Sequence, residues 1–349
     1  MRCLLRILTL LVSSAAVALP VFAQSPPAPP GDTVPPFPAP GRLIDIGGWR
    51  LHLNCTGTFD AGRPTVILEA GIGDFSAEWS LVQPKVAAFA RVCSYDRADD
   101  GWSDFGPSPR TLHQIVYELH TLLVNAGERA PFVLVGHSFG GWVVRLYQSS
   151  YPAEVAGMVL VEAGADDPWR MLGDGKLRRA SELATGRPIP PVKTANPVHE
   201  SEIPPGVVSQ LRAAAEQYAP RANEPPRDKL PPDAQRMRSW AYGQLKHWAQ
   251  GYNPFEADEL AGLRAARLQR EFSLGELPLL VLTRGIPESE GPDAAAREAE
   301  HRQDHATIAA MSRRGKLVIA EHSGHHVQLE EPELVVAAIR DVLAATVPR

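Results

Sequence analysis

The run from Pro131 to Gly141, PFVLVGHSFGG, constrains the fold of this chain more than any other segment. Its apolar first half predicts a buried strand, and the apolar residues that follow Gly141 predict a helix. Between the two lies Gly-x-Ser-x-Gly, with Ser138 at its centre. A serine on a sharp strand-to-helix turn is exposed to substrate, and the free N–H groups of the new helix can stabilise negative charge beside it. The pattern predicts a nucleophilic Ser138, and the alternative is an ordinary glycine-rich turn.

The first 41 residues have the pattern of a processing segment followed by a spacer. Arg2 and Arg6 precede an apolar run, and a small-residue cleavage site follows it, so residues 1–23 are predicted to be a signal peptide. The apolar run is short for a bilayer span, so we expect cleavage, a periplasmic or secreted product and no stable membrane span. The proline-rich residues 24–41 predict an extended linker.

Charge and cysteine content limit the possible binding partners and the cellular compartment of the protein. Loss of the two signal-peptide arginines changes the formal net charge from −5 to −7, which argues against nucleic acid as a partner. Export also removes Cys3 and leaves Cys55 and Cys93. An oxidising compartment would permit a disulfide between these two, and the alternative is a pair of buried free thiols.

Strand-like and helix-like runs alternate over residues 42–166 and 271–349. This alternation predicts an α/β fold, with a mostly parallel sheet covered by helices on both faces. A predicted hairpin around Gly47-Gly48 would add an antiparallel edge. Residues 167–270 interrupt the alternation with proline, charge and short helical patterns, and we interpret them as a helical lid. Aromatic residues in this insert suggest an apolar pocket wall, or merely the packing of the lid helices onto the sheet.

A serine is a poor nucleophile at neutral pH unless a base takes its proton. The best candidate is His325 in Ser-Gly-His-His, between the last predicted strand and the last predicted helix. That loop lies at the carboxyl edge of a parallel sheet, which is also the edge that carries Ser138. His326 is the direct competitor of His325, and His322 is a weaker one.

A third group must orient the imidazole, and two glutamates compete for this role. Glu162 directly follows the apolar strand after the nucleophile helix, and Glu288 follows the next strand. An acid that ends a buried strand needs a partner, because an unpaired buried carboxylate is costly, and this favours Glu162. Weaker candidates are Asp166, Asp167 and Asp293.

The negative charge that develops on a reacting carbonyl oxygen needs donors. The backbone N–H of Phe139, directly after the serine, is one. The second is predicted to be the N–H of Ile72, in a glycine-containing loop (71–74) after the predicted strand 65–68. The alternative is that Gly71 and Gly73 only make a turn.

From residue 42 to its end, the chain resembles the alpha/beta-hydrolase superfamily. The resemblance rests on Gly-His-Ser-Phe-Gly-Gly at 136–141, Ser-Tyr-Asp-Arg-Ala-Asp-Asp-Gly-Trp-Ser at 94–103, and Gly-His followed by Glu-Glu-Pro within 324–332. It implies an eight-stranded, mostly parallel sheet, a Ser-His-acid triad and a lid inserted after the sixth strand. It also makes the second and fourth strands neighbours, which favours a Cys55–Cys93 disulfide.

The chain departs from the family pattern at two places. Glu69-Ala70-Gly71 replaces the usual His-Gly of the oxyanion loop, and no aspartate follows the seventh strand. Haloalkane dehalogenases of the superfamily often carry the acid after the sixth strand, which is the position of Glu162. Dehalogenases and epoxide hydrolases of the family use an aspartate nucleophile, so Ser138 argues against both activities.

These observations together predict a serine hydrolase that cleaves small apolar carboxylic esters through an acyl-enzyme and needs no cofactor. Amide or peptide cleavage, carbon–carbon bond hydrolysis, acyl transfer and cofactor-free peroxidation use the same triad and stay open. A metal site at His301, Asp304 and His305 is less favoured, because a solvated helix face explains this charged stretch. A catalytically inactive binding module on the same fold is a remote alternative.

Overall fold

The computed structural model describes residues 37–171, 175–195, 205–249, 253–269, 273–289, 291 and 293–346. The predicted signal peptide and residues 24–36 of the predicted linker lie outside these ranges. Over the described part of the chain, no helix is both long enough and apolar enough to cross a bilayer.

Within the described residues, the main sheet contains eight strands and a separate hairpin contains two. The main sheet comprises β1 (Arg42–Asp45), β2 (Arg50–Thr56), β3 (Thr65–Glu69), β4 (Val92–Tyr95), β5 (Phe132–His137), β6 (Val155–Val161), β9 (Leu279–Arg284) and β10 (Gly315–Ala320). The hairpin comprises β7 (Trp169–Met171) and β8 (Leu177–Arg179). The order in the main sheet is β1-β2-β4-β3-β5-β6-β9-β10. Among these eight strands only β2 runs antiparallel to the others, so the predicted mostly parallel sheet is confirmed.

Among the described residues, helices follow the strands of the sheet from β3 onward, and several lie between β6 and β9. They are α1 (Gln83–Ala87), α2 (Leu112–Ala126), α3 (Gly140–Ser150), α4 (Ala180–Leu183), α5 (Pro205–Tyr218), α6 (Pro232–Tyr242), α7 (Leu245–Ala249), α8 (Glu256–Leu268), α9 (Ala294–Ala309), α10 (Val327–Glu330) and α11 (Pro332–Thr346). Short 3-10 helices occupy Ser76–Trp79, Pro152–Glu154, Ala219–Arg221 and Arg227–Lys229.

Strand β5 shows why the sheet needs helices on both faces. Every residue of this strand is buried, and successive side chains point to opposite faces. Leu134 packs into the apolar cluster that includes residues of α2 and α3, whereas Val133 and Val135 pack into the cluster formed with α1 and α11. Helices therefore cover the sheet on both faces, as predicted.

The neighbouring strands β2 and β4 are joined by a disulfide. Cys55 on β2 is directly opposite Cys93 on β4 in the antiparallel register, and the two sulfur atoms are bonded. The second and fourth strands are adjacent in the sheet, as the family resemblance implies.

The chain between β6 and β9, here called the insert, contains the β7–β8 hairpin and helices α4 to α8. Its residues Leu230, Ala234 and Ala241 pack against Phe75 and Trp102, which belong to loops at the carboxyl edge of the sheet. The insert therefore contacts the edge at which β5 presents Ser138.

Candidate active site

Ser138 lies on a sharp turn between β5 and α3. Its φ angle is +51°, in the left-handed region that residues other than glycine rarely adopt. The flanking glycines allow this turn, because a Cβ on Gly140 would lie 2.6 Å from the Glu69 carbonyl oxygen, and one on Gly136 would lie 2.6 Å from the Gly140 carbonyl oxygen. The Ser138 amide donates to the Val161 carbonyl at 3.1 Å, which fixes the turn against the end of β6.

His325 lies beside this serine. It occupies the loop between β10 and α10, and its Nε2 lies 2.9 Å from Ser138 Oγ, which is hydrogen-bonding distance. The imidazole is 35% exposed, so a substrate can approach it from solvent. His137 Nε2 lies 2.9 Å from the His325 carbonyl oxygen and so helps to hold the loop in place. The structure thus brings together the predicted nucleophile and the predicted base.

Glu162 is on the other side of the His325 ring. Its Oε1 lies 3.9 Å from His325 Nδ1. Glu162 directly follows β6, is 2% exposed, and has a φ angle of +45°. Like Ser138, it is thus a non-glycine residue in the left-handed region, a strain that clusters at functional sites.

The surroundings of Glu162 keep it ionised. Its carboxylate accepts hydrogen bonds from the Arg284 backbone N–H at 2.8 Å and from Arg284 Nη1 at 2.7 Å. Burial alone would raise the pKa of Glu162, but the nearby imidazoles of His301 and His325 outweigh it and bring the pKa well below its usual value. A buried, ionised carboxylate next to an imidazole can orient the ring and stabilise its cationic form.

Glu288, the rival acid, contacts a different part of His325. Its Oε1 accepts the backbone N–H of His325 at 2.6 Å, so it holds the main chain of the loop and not the ring. Of the weaker candidates, Asp166 pairs with Arg145, Asp167 accepts hydrogen bonds from Ser181, and Asp293 lies exposed before α9.

Neither of the competing histidines approaches Ser138 as His325 does. His326 Nδ1 lies 3.6 Å from Glu78 Oε1, and burial lowers the pKa of His326 to about 2. His322 is exposed to solvent. The geometry therefore favours His325 over both.

The two predicted oxyanion donors lie on different elements. Phe139 follows Ser138 and caps α3, so its N–H is one of the amides at a helix start that have no partner inside the helix. Ile72 belongs to the loop after β3, here called the oxyanion loop (Ala70–Asp74). Both residues line a cavity of about 20 Å³.

Arg97 fixes the oxyanion loop, a role that the sequence analysis missed. Its guanidinium donates to the carbonyl oxygens of Ala70 at 2.9 Å, Gly71 at 2.5 Å and Asp74 at 3.1 Å, and it pairs with Glu69 Oε1 at 2.5 Å. A signal for this role was present, since Glu69 is an acid at the end of a buried strand and needs a partner as much as Glu162 does.

A buried ionic group, here called the insert anchor, joins the oxyanion loop to the insert. Arg238 on α6 is fully buried, and its Nη1 lies 3.0 Å from Asp74 Oδ1 and 2.8 Å from Glu78 Oε2. Arg227 Nη2 lies 3.3 Å from both carboxylate oxygens of Asp74. Burial, together with the adjacent charge of Asp74, raises the pKa of Glu78 to about 7.

The predicted solvated face at 301–305 is wrong. His305 is 1% exposed and His301 is 21% exposed, because this side of α9 faces Glu162, directly after β6. His301 Nε2 lies 2.8 Å from Glu162 Oε1, and His305 Nδ1 lies 3.8 Å from Glu162 Oε2. The spacing of four residues places both rings on the same helix face, but the sequence did not indicate that this face points inward.

The fold matches that of known hydrolases. A protein of Gibberella zeae described as an AB hydrolase superfamily protein is 26% identical over 299 residues, which are 80% of this chain and 86% of that protein. A thermophilic esterase from Thermogutta terrifontis, solved with malate bound, superposes with a TM-score of 0.56 at 18% identity over 88% of this chain and 99% of that one.

The epoxide hydrolase CorEH gives a TM-score of 0.59 at 14% identity, over 87% of this chain and 98% of that one. Likeness at such identities shows the fold alone, since one fold hosts several reactions. The model of a family described as the alpha/beta hydrolase family matches residues 66–338. With most of its length matched, the chain belongs to the alpha/beta hydrolase family.

Proposed function

We propose that the protein is an exported serine hydrolase that cleaves small carboxylic esters through an acyl-enzyme. The observation that carries this proposal is the 2.9 Å contact between His325 Nε2 and the Oγ of Ser138 on a strained strand-to-helix turn. This pair is the minimum that a serine nucleophile needs, because the imidazole can take the hydroxyl proton as the oxygen attacks.

The remaining residues have roles that follow from their positions. Ser138 Oγ attacks the ester carbonyl carbon while His325 accepts the hydroxyl proton, and Glu162 stabilises the imidazolium. The N–H groups of Phe139 and Ile72 stabilise the negative oxygen. His325 then gives its proton to the departing alcohol, and water releases the acid from Ser138 by the reverse sequence of proton transfers.

The insert acts in this proposal as a lid over the site. Asn253 and Glu256 of the insert line the cavity of about 20 Å³ beside Phe139 and Ile72. An ester bound beside Phe139 and Ile72 would therefore contact the insert. The side chain of Ile72 is 55% exposed and offers an apolar contact for the substrate.

Esters are the least demanding substrates for this triad, because an alcohol leaves a tetrahedral intermediate more readily than an amine does. A panel of p-nitrophenyl esters of increasing acyl length, with matching p-nitroanilides, measures the preference. We expect hydrolysis of the esters and much slower hydrolysis of the anilides. Faster turnover of the anilides would contradict the ester assignment while preserving the triad.

A fluorophosphonate probe tests the nucleophile directly. The folded protein should form one covalent adduct, and peptide mass spectrometry should locate it on Ser138. Ser138→Ala is the matched control and should stay unlabelled at the same folded fraction. A folded parent protein that forms no adduct, or forms it elsewhere, would contradict the proposal.

Export is supported by the Cys55–Cys93 disulfide, because such bonds persist in oxidising compartments. Expression of the full chain in a Gram-negative host, followed by fractionation and N-terminal sequencing, tests it. We expect a periplasmic protein that begins at Gln24. An uncleaved chain in the cytoplasm would contradict the proposed export.

A further inference from the structure

Three potential metal ligands lie close together on the Nδ1 side of the His325 ring. Glu162 from the end of β6 meets His301 and His305 from α9, and the ligand atoms of the three lie within 4.8 Å of one another. Glu162 and His305 are each 1% exposed at the side chain, and His301 is 21% exposed. Two imidazoles and one carboxylate are the ligand types that zinc takes in proteins.

The hydrogen bonds of His305 leave a buried lone pair unpartnered. Its Nε2 lies 2.8 Å from the Ala163 carbonyl oxygen, which can only accept, so Nε2 carries the proton. In the neutral ring Nδ1 therefore bears a lone pair. That atom is buried, has no hydrogen-bond partner, and lies 3.8 Å from Glu162 Oε2. Two electron-rich atoms face each other in the interior, an arrangement that a cation between them would stabilise.

His301 places a second buried ring nitrogen beside the same carboxylate, because its Nε2 lies 2.8 Å from Glu162 Oε1. The contact between His305 Nε2 and the Ala163 carbonyl is the kind of outer contact that fixes the tautomer of a metal-binding histidine.

We propose that Glu162, His301 and His305 form a binding site for a divalent transition metal of the zinc class. Tetrahedral zinc places its ligand atoms about 3.4 Å apart, given Zn–N and Zn–O distances of about 2.0–2.1 Å. The Nδ1 of His305 and Oε2 of Glu162 would need to approach each other by only a few tenths of an ångström.

The positive charge of Arg284 would repel a cation at this site, but Arg284 also has a second carboxylate partner. Its Nη1 lies 2.7 Å from Glu162 Oε1, while its Nη2 lies 2.9 Å from Glu298 Oε1. The guanidinium therefore keeps a carboxylate when Glu162 turns toward the metal.

The other histidine–carboxylate group of the site is a poorer candidate. It comprises Asp74, His137 and His326. Asp74 already pairs with Arg227 and Arg238, and both ring nitrogens of His137 have partners.

Occupation of the proposed site would inhibit the enzyme, and this part rests on the proposed function. Glu162 Oε1 is also the atom that faces His325 Nδ1 at 3.9 Å. A metal bound to that carboxylate would neutralise its charge and compete with the imidazolium that forms during catalysis. Zinc should therefore be a reversible inhibitor.

Equilibrium dialysis of the full chain without an affinity tag tests the site independently of activity. Metal-free protein is dialysed against ZnCl₂, and bound zinc is measured by elemental mass spectrometry. We expect one zinc ion per parent chain. His301→Ala and His305→Ala should each weaken binding on the order of 100-fold, a loss at the upper end of that seen for outer-shell changes.

Two controls keep this test decisive. His322→Ala removes an exposed histidine and should bind zinc as the parent does. If His305→Ala fails to fold by circular dichroism, His301→Gln replaces it, because the His301 side chain is partly exposed. Unchanged zinc binding in the folded His301 variants, or loss of binding in His322→Ala, would overturn the proposed site.

A zinc titration of ester hydrolysis tests inhibition. The parent should lose activity with zinc and regain it with EDTA. His301→Ala should need on the order of 100-fold more zinc, relative to its own zinc-free rate. Zinc that binds without slowing hydrolysis would overturn the inhibitory role. A zinc-free parent that hydrolyses no ester would contradict the proposed function instead, and dialysis would still decide the metal site.

Discussion

Two buried glutamates, Glu69 and Glu162, stand at the carboxyl edge of the same sheet and look alike at first. Glu69 ends β3 and Glu162 follows β6, and they are 0% and 2% exposed. Each pairs with one arginine, Glu69 with Arg97 at 2.5 Å and Glu162 with Arg284 at 2.7 Å.

Their other neighbours separate them. Glu69 also accepts the hydroxyl of Tyr95, and burial raises the pKa of Glu69 despite Arg97. Glu162 faces imidazoles, its pKa is well below the usual value, and its backbone is strained. Burial and an arginine partner therefore do not separate Glu162, the proposed catalytic carboxylate, from Glu69. The imidazoles beside Glu162 are the feature that Glu69 lacks.

The largest expected effect is that of Glu162→Gln on turnover. The amide is nearly isosteric with the carboxylate but cannot stabilise the His325 imidazolium. We expect kcat for p-nitrophenyl esters to fall by about 10,000-fold with little change in KM, by analogy with the loss of a triad carboxylate.

Glu288→Gln is the matched comparison for that variant. It weakens a single hydrogen bond to the His325 backbone, worth about 1.4 kcal/mol, so kcat should fall by about tenfold or less. A larger loss of kcat in Glu288→Gln than in Glu162→Gln would reverse the assignment of the acid.

Glu69→Gln should instead lower stability. It leaves the buried Arg97 guanidinium without its close counterion, since Asp100 is 3.8 Å away. Removal of one partner of a buried ion pair costs about 3–5 kcal/mol, and urea unfolding measures this as a lower midpoint. A fall in kcat as large as that of Glu162→Gln, with unchanged stability, would make Glu69 part of the catalytic machinery and end the contrast.

The sequence predicted the elements that local pattern determines. The alternation of strands and helices, the turn around Ser138 and the loop of His325 all depend on short-range periodicity and glycine placement. The rule that a strand-end acid needs a partner applied to Glu69 as well as to Glu162, but it was used for Glu162 alone.

What sequence reasoning missed depends on long-range packing. The contacts of Arg97 with the oxyanion loop, and of α9 with Glu162, join residues 23 or more positions apart. The charged residues around His301 and His305 have the pattern of a solvent-exposed helix. The sequence therefore did not indicate that one face of α9 points inward. Only the docking of that helix on β9 and β10 shows where the two rings point.

We expect a smaller effect at His137, whose ring centroid lies 4.9 Å from that of His325. Burial, together with the charge of His325, lowers the pKa of His137 from 6.5 to about 3. Below pH 6.5 the unfolded chain binds a proton at this residue and the folded protein does not. Stability contributed by neutral His137 is therefore lost as the pH falls from 6.5 toward 3.

His137→Asn tests this link between protonation and stability through the pH dependence of the free energy of unfolding. Urea unfolding between pH 6.5 and 4 should show that the free energy of unfolding of the parent falls more steeply than that of the variant. The difference between the two slopes should approach the value for one proton, about 1.4 kcal/mol per pH unit. Parallel pH dependences would mean that His137 is protonated in the folded protein.

We expect the smallest effect from the substitution of an exposed carboxylate. Glu276 pairs with Arg313 at 3.3 Å, and their side chains are 65% and 60% exposed. Solvent and salt screen such a pair, so Glu276→Gln should change the free energy of unfolding by less than about 1 kcal/mol and leave kcat unchanged. Urea unfolding of this variant beside Glu69→Gln then measures how much of the effect at Glu69 comes from burial. Equal losses in the two variants would show that the buried ion pair at Arg97 is no stronger than a solvated one, and the structural role assigned to Glu69 would fail.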